Sequence, residues 1–228
     1  MNKEKETTLR REMHVKGVHL RQAGDGTAGE SRTIEGRAIL FGVPSEPLWD
    51  DEHEDCREVI DPQAVTRQLL DASDIKFTMF HDRQLILARS NKGKGTLTYE
   101  VDEQGVTFRF DAPATVDGDK ALELVKRGDL SGCSFMFSTY YWDNDYVERS
   151  VVFDEAGKKH VTFRVKRITG IYDFTLAADP AYAGTEVETR QLREMLAADQ
   201  AKDNAAHQRE RSAESVSQMR LTARQKMI

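Results

Sequence analysis

Between Gly95 and Asp111 two runs rich in strand-forming residues flank Asp102-Glu-Gln-Gly, and the second sets Val106, Phe108 and Phe110 against polar neighbours. Apolar residues at every second position share a face only in an extended strand, so the segment predicts a hairpin. The same pattern recurs. Tyr146–Phe153 and Val161–Arg167 flank Asp154-Glu-Ala-Gly-Lys, a second hairpin, and Ile171–Leu176 supplies a last strand before Asp179-Pro180-Ala-Tyr. From Thr33 to Phe41 the chain places Ile34, Ala38 and Leu40 on one parity, with Gly36 as a weak spot or bulge. Ile75 to Phe80 alternates as well and ends at His81-Asp82. Helical signals are fewer. Asp61-Pro62 offers a cap followed by a proline at the first helical position, predicting a helix to about Leu70. Asp117 to Arg127 carries Ala121, Leu122 and Val125 at helical spacing and stops at Gly128. Many strands with two helices predict an α+β, mainly β fold, in which a closed or partly closed antiparallel sheet is decorated by helices.

The ends differ from this middle. Residues 1–30 have little periodicity beyond His14-Val-Lys-Gly-Val-His-Leu, a candidate edge strand, and Gly24, Gly26 and Gly29 mark a flexible loop. Beyond Arg190 the composition turns to Ala, Gln, Glu, Arg and Met without glycine, proline or aromatics, as in an exposed helix or an unfolded tail. The expected organisation is a flexible N-terminal segment (1–30), one domain (31–190) and a C-terminal tail (191–228), since 228 residues suit a single substantial core.

Charge and cysteine content exclude several functions. A net charge of −6 argues against a protein that grips phosphate backbones, which takes clustered Lys and Arg. The two cysteines, Cys56 and Cys133, lack CxxC spacing, so no disulfide framework or zinc ribbon is suggested and a reducing compartment fits. The charged opening Met1-Asn-Lys-Glu-Lys-Glu leads into no apolar run of the signal-peptide kind, and no stretch has the ~20 apolar residues that span a bilayer. The acidic run Asp50-Asp-Glu-His-Glu-Asp-Cys56 contains ligand types, but they are too consecutive for familiar metal spacing, and it reads as a solvated loop with no metal.

Two residues carry potential chemistry. In Leu130-Ser-Gly-Cys-Ser-Phe-Met-Phe, a strand would point Ser134 away from Phe135 and Phe137, and His81 closes another strand. Alone, each is a common structural residue: a hydroxyl satisfied within a sheet, a histidine at a strand end. Together with an acid they could perform acyl transfer, because an alcohol becomes a good nucleophile when an imidazole takes its proton and a carboxylate holds that imidazole in the right tautomer. The Gly-x-Ser-x-Gly elbow is absent, Met136 filling its last position, which disfavours an α/β-hydrolase. Ser131 is a rival nucleophile, although next to Gly132 it reads as a turn residue.

Five stretches in order resemble the prohead (capsid maturation) serine proteases of tailed bacteriophages, a family related in fold to the herpesvirus assemblins. They are Ile34-Glu-Gly-Arg-Ala-Ile-Leu-Phe-Gly, Glu58-Val-Ile-Asp-Pro-Gln-Ala, Met79-Phe-His-Asp, Asp129-Leu-Ser-Gly-Cys-Ser-Phe-Met-Phe and Ile171-Tyr-Asp-Phe-Thr-Leu-Ala-Ala-Asp-Pro-Ala-Tyr. The resemblance covers roughly residues 33–190. It implies an assemblin-like barrel, a serine endopeptidase, Ser134 as nucleophile, His81 as base and Asp173 as the third member. Asp173 stands where the family usually has glutamate and Met136 where glycine is common; Asp82, Asp111 and Asp154 compete for the acid's role. Arg89 is a candidate for the oxyanion or for acidic substrate residues. The resemblance further implies a major capsid protein or scaffold as substrate, and a place inside the immature capsid in the host cytoplasm or in a prophage-bearing bacterium. A tail removed by self-cleavage, a homo-oligomer, no cofactor, and no nucleic-acid or membrane partner complete the expectation. Two rival readings are a non-catalytic assembly module of the same fold and a metallohydrolase built on His53 and Cys56.

Overall fold

The structure, a computed structural model, describes the backbone of residues 7–16 and, with their side chains, residues 18–20 and 31–178. The tail expected beyond Arg190 lies outside the described residues, as does most of the glycine-rich loop at 21–31. In chain order the elements are β1 (Thr7–Lys16), β2 (His19–Leu20), β3 (Thr33–Leu40), β4 (Trp49–Asp50), β5 (Glu54–Ile60), α1 (Arg67–Ala72), β6 (Asp74–Met79) and β7 (Asp82–Asn91). There follow β8 (Lys94–Gly95), β9 (Thr98–Asp102), β10 (Gly105–Asp111), α2 (Val116–Arg127), β11 (Gly132–Thr139), β12 (Val147–Phe153), β13 (Lys159–Val165) and β14 (Gly170–Ala177).

The fold is mainly β, as the alternation predicts, but the sheet is not closed. Three sheets form, in the orders β1-β11-β14-β6-β7-β8, β2-β3-β10-β9 and β12-β13-β5-β4, and none returns to its own first strand. Nor are they all antiparallel. β14 runs parallel to β6 and β13 parallel to β5, pairings between segments far apart in sequence that local periodicity cannot reveal. The core lies between sheets: Phe77 of β6 packs its ring 4.6 Å from Phe108 and 4.5 Å from Phe110 of β10. The alternation of Val106, Phe108 and Phe110 thus buries one face of the second sheet against the first.

Several local expectations are corrected. The edge strand expected near His14 begins at Thr7 and pairs with β11, while His19–Leu20 joins a different sheet. The bulge of β3 falls at Ala38 rather than Gly36: Val106 pairs with Ile39 and Thr107 with Arg37, leaving Ala38 as the extra residue. Parity shifts there, so Ile39 is buried in place of Leu40. Asp61-Pro62 opens a turn, not a helix: Ala64 N–H closes back on Asp61 O at 2.8 Å, and Asp61 N–H donates to the Val165 carbonyl. The helix starts after Thr66, whose Oγ1 accepts from Leu69 N–H. α2 forms as expected, capped by the Thr115 hydroxyl at one end and by Gly128 at φ 81° at the other.

Candidate active site

Strand parity sets the face on which the site is built. In β11, Phe135 and Phe137 are fully buried with rings 5.3 Å apart, so the side chains of Ser134 and Met136 project to the other face. β14 is the neighbour of β11, with Ser134 opposite Thr175 and Met136 opposite Asp173. Asp173 and Thr175 therefore share the face of Ser134, while Phe174 and Leu176 face the core. On the other side of β14 stands β6, which ends at Met79. Phe80 and His81 form the two-residue turn into β7, Met79 pairing with Asp82.

That turn delivers the imidazole to the carboxylate and the hydroxyl. His81 Nδ1 lies 2.9 Å from Asp173 Oδ1, and His81 Nε2 lies 2.9 Å from Ser134 Oγ. A carboxylate only accepts, so Nδ1–H donates to Asp173 and leaves the Nε2 lone pair to accept the Ser134 O–H. The imidazole is 1% exposed, Ser134 1% and Asp173 3%, which removes competing water from both bonds. The turn carries strain. Phe80 and His81 have φ of 57° and 55°, the left-handed region that L-residues with a Cβ disfavour, and a two-residue turn of this kind usually draws on Asn and Gly. Besides the ring bond to Asp173, two backbone N–H groups fasten it to β14: Phe80 N–H to Leu176 O at 3.1 Å and His81 N–H to Thr175 Oγ1 at 2.9 Å.

The caudovirus prohead serine protease family matches residues 17–198 of the chain. The chain belongs to that family. No curated protein matches it. Among solved structures, that of the bacteriophage T4 capsid assembly protease, gp21, is 10% identical, covering 76% of this chain and 99% of that one, with a TM-score of 0.38. A member of this family is a serine protease, and in this member a serine, a histidine and an aspartate from three distant segments meet on one sheet face.

The other candidates lie elsewhere. Arg89 sits on β7, three strands away from Ser134 in the sheet order, about 14 Å at the usual strand spacing of ~4.8 Å. Its guanidinium is occupied by a two-pronged bond to Asp74, at 2.7 and 2.8 Å, which holds the Asp74 carboxyl well below the usual carboxylate range. Of the competing acids, Asp82 accepts from Gln84 N–H, Asp111 from the Thr33 hydroxyl, and Asp154 from Lys158 N–H and faces His160. Ser131 precedes β11, and its carbonyl accepts from Val18 N–H. Cys133, beside Ser134, is buried on the opposite face, and burial pushes its thiol up, away from the reactive thiolate.

The acidic run spans both exposed and buried positions. Cys56 is fully buried, His53 is exposed, and Asp55 faces His160 Nδ1 at 2.8 Å. Among the described residues no three His, Cys, Asp or Glu side chains are arranged to hold a metal ion. Sequence reading passed over Thr175 and Thr78, both fully buried, whose hydroxyls lie 2.9 Å apart beneath the turn. The available signal was parity: Asp173 and Thr175, two apart in a strand, must share a face.

Proposed function

We propose that this family member is an endopeptidase in which Ser134 is the nucleophile, His81 the general base and Asp173 the residue that orients it. The observation that carries the reading is the unbroken line of two 2.9 Å contacts from Asp173 through His81 to Ser134. As Ser134 Oγ attacks a peptide carbonyl, its proton passes to His81 Nε2, and the new imidazolium is stabilised by the Asp173 carboxylate. His81 then gives that proton to the departing amine, leaving an acyl group on Ser134. Water, deprotonated by the same imidazole, releases the acyl group and restores the hydroxyl.

The substrate in this reading is a scaffold or capsid precursor cut inside the immature shell, in the host cytoplasm. Family membership supports it. The Ala- and Arg-rich segment 191–228 is a candidate for self-removal. The test is incubation with its own capsid precursor. Ser134→Ala and His81→Ala, each folded by circular dichroism, should lose processing; processing by either variant at the wild-type rate would refute the assignment and favour a non-catalytic assembly module. Intact-mass spectrometry of wild type and Ser134→Ala settles self-cleavage, since identical C-termini would reject it.

A further inference from the structure

The imidazole at the centre of this site is carried by backbone that is unfavourable by itself. His81 is the second of two consecutive left-handed residues, and neither is glycine or asparagine. Such a turn keeps its shape only when its surroundings hold it. One of its two backbone N–H bonds to β14, from Phe80 N–H to Leu176 O, ends on a backbone carbonyl and is available whatever side chain stands at 176. The other ends on a side chain. His81 N–H donates to Thr175 Oγ1 at 2.9 Å.

The Thr175 hydroxyl has no freedom left. It accepts a second bond from Thr78 Oγ1 at 2.9 Å and turns its own proton towards Leu176 O at 3.4 Å. Both threonines are fully buried, and a β-branched side chain has few χ1 choices. The hydroxyl is thus a fixed point. Its place in the sheet links it to every member of the site: Ser134 is its partner on β11, Thr78 its partner on β6, and Asp173 lies two residues away on the same strand and face. β14 therefore holds His81 at two points, the ring through Asp173 and the backbone through Thr175.

We propose that Thr175 is a positioning residue for the hydrolytic reaction, acting through the His81 backbone to set the distance between Nε2 and Ser134 Oγ. This rests on the reading that Ser134, His81 and Asp173 perform the chemistry. Without the hydroxyl, His81 N–H loses its acceptor and the strained turn loses one of its two backbone N–H bonds to β14, the ring bond to Asp173 remaining. A displacement of about 1 Å at the imidazole is enough to cost up to ~100-fold in rate. Substrate binding has no reason to change by a similar factor, since Thr175 lies beneath the turn.

The test is steady-state cleavage of the capsid precursor by Thr175→Val, which keeps the shape and removes the hydroxyl, and by Thr175→Ser, which keeps the hydroxyl. Thermal unfolding of both is followed in parallel. Thr175→Val is expected to lower kcat about 10- to 100-fold with KM within about twofold, and Thr175→Ser to recover most of the loss even where its thermal midpoint is the lower of the two. The inference is overturned if Thr175→Val keeps kcat within about twofold of wild type, or if Thr175→Ser is as impaired as Thr175→Val. Ser134→Ala in the same assay separates the two levels: cleavage there at or near the wild-type rate removes the catalytic reading and Thr175's role with it, whereas its loss beside a fully active Thr175→Val removes the positioning role alone.

Discussion

Asp173→Asn isolates the charge behind His81 while leaving its volume in place. In the native site the Asp173 side chain is 5% exposed and its Oδ1 stands 2.9 Å from His81 Nδ1. In the proposed reaction, the imidazolium formed as Ser134 attacks is about 4 Å, centre to centre, from a full negative charge. At an effective dielectric of ~20 that attraction is worth about 4 kcal/mol, which corresponds to about 10³-fold in rate. A second effect adds to the first. The asparagine amide can donate to Nδ1, which favours the tautomer with its proton on Nε2 and leaves no lone pair facing Ser134; in Ser-His-Asp enzymes the combined loss is about 10⁴. Asp173→Asn should therefore cut kcat about 10³- to 10⁴-fold, with KM little changed, in cleavage of the capsid precursor. Thermal unfolding and circular dichroism establish that the variant is folded. A folded Asp173→Asn enzyme within about tenfold of wild type would refute the argument, because the carboxylate charge would then contribute no more than ~1.4 kcal/mol to the transition state.

Two further outcomes concern the scaffold. Phe77→Ala removes the ring that joins the first two sheets at 4.6 and 4.5 Å from Phe108 and Phe110, and should cost about 3–5 kcal/mol in urea denaturation; a loss below ~1 kcal/mol would mean the two sheets do not share this core. The Arg37 hydrogen bond to Asp102 lowers that carboxyl from 3.8 to about 2, so the stability it contributes is complete above pH 3.8 and is lost as pH falls through about 2. The effect is small, because the Asp102 side chain is 46% exposed and salt screens it. Asp102→Asn should fall less steeply in thermal midpoint than wild type between those pH values, and equal slopes would contradict the pairing.

Elements were legible in the sequence where one segment's own pattern decides its structure. The β9–β10 hairpin and α2 are of this kind: Val106, Phe108 and Phe110 alternate over a single buried face, and Thr115 and Gly128 close the helix with local bonds. β7 was not legible. It pairs with β6 through two register shifts, so its polar and apolar residues follow no single period over Asp82–Asn91. At Asp61 the cap-and-proline signal produced only a single turn, and the helix took its cap from Thr66 five residues later. The open, mixed sheets were hidden because parallel partners such as β14 and β6 are chosen by the whole fold. Ser134 and His81 could be named from the order of segments, and Asp173 with them; that all three share one face follows from register, which only the assembled sheet supplies.

The distribution of strain in this site differs from that of enzymes with a nucleophile elbow, and the difference follows from where each residue sits. An elbow raises its serine on a sharp, strained turn above the sheet. Here Ser134 is a regular strand residue paired on β14, and the positive φ values belong to Phe80 and His81. Left-handed backbone costs roughly 1–2 kcal/mol per residue, and the sheet offsets it through the bonds from the turn to Leu176 and Thr175. A strand residue has little room to move, so adjustment of the Ser134–His81 distance must come from the base. The tension is placed on the turn that carries His81 and is tied to β14. That arrangement makes β14 the decisive strand: its Phe174 and Leu176 anchor it in the core, and its Asp173 and Thr175, one parity away, hold the ring and the backbone of the same histidine.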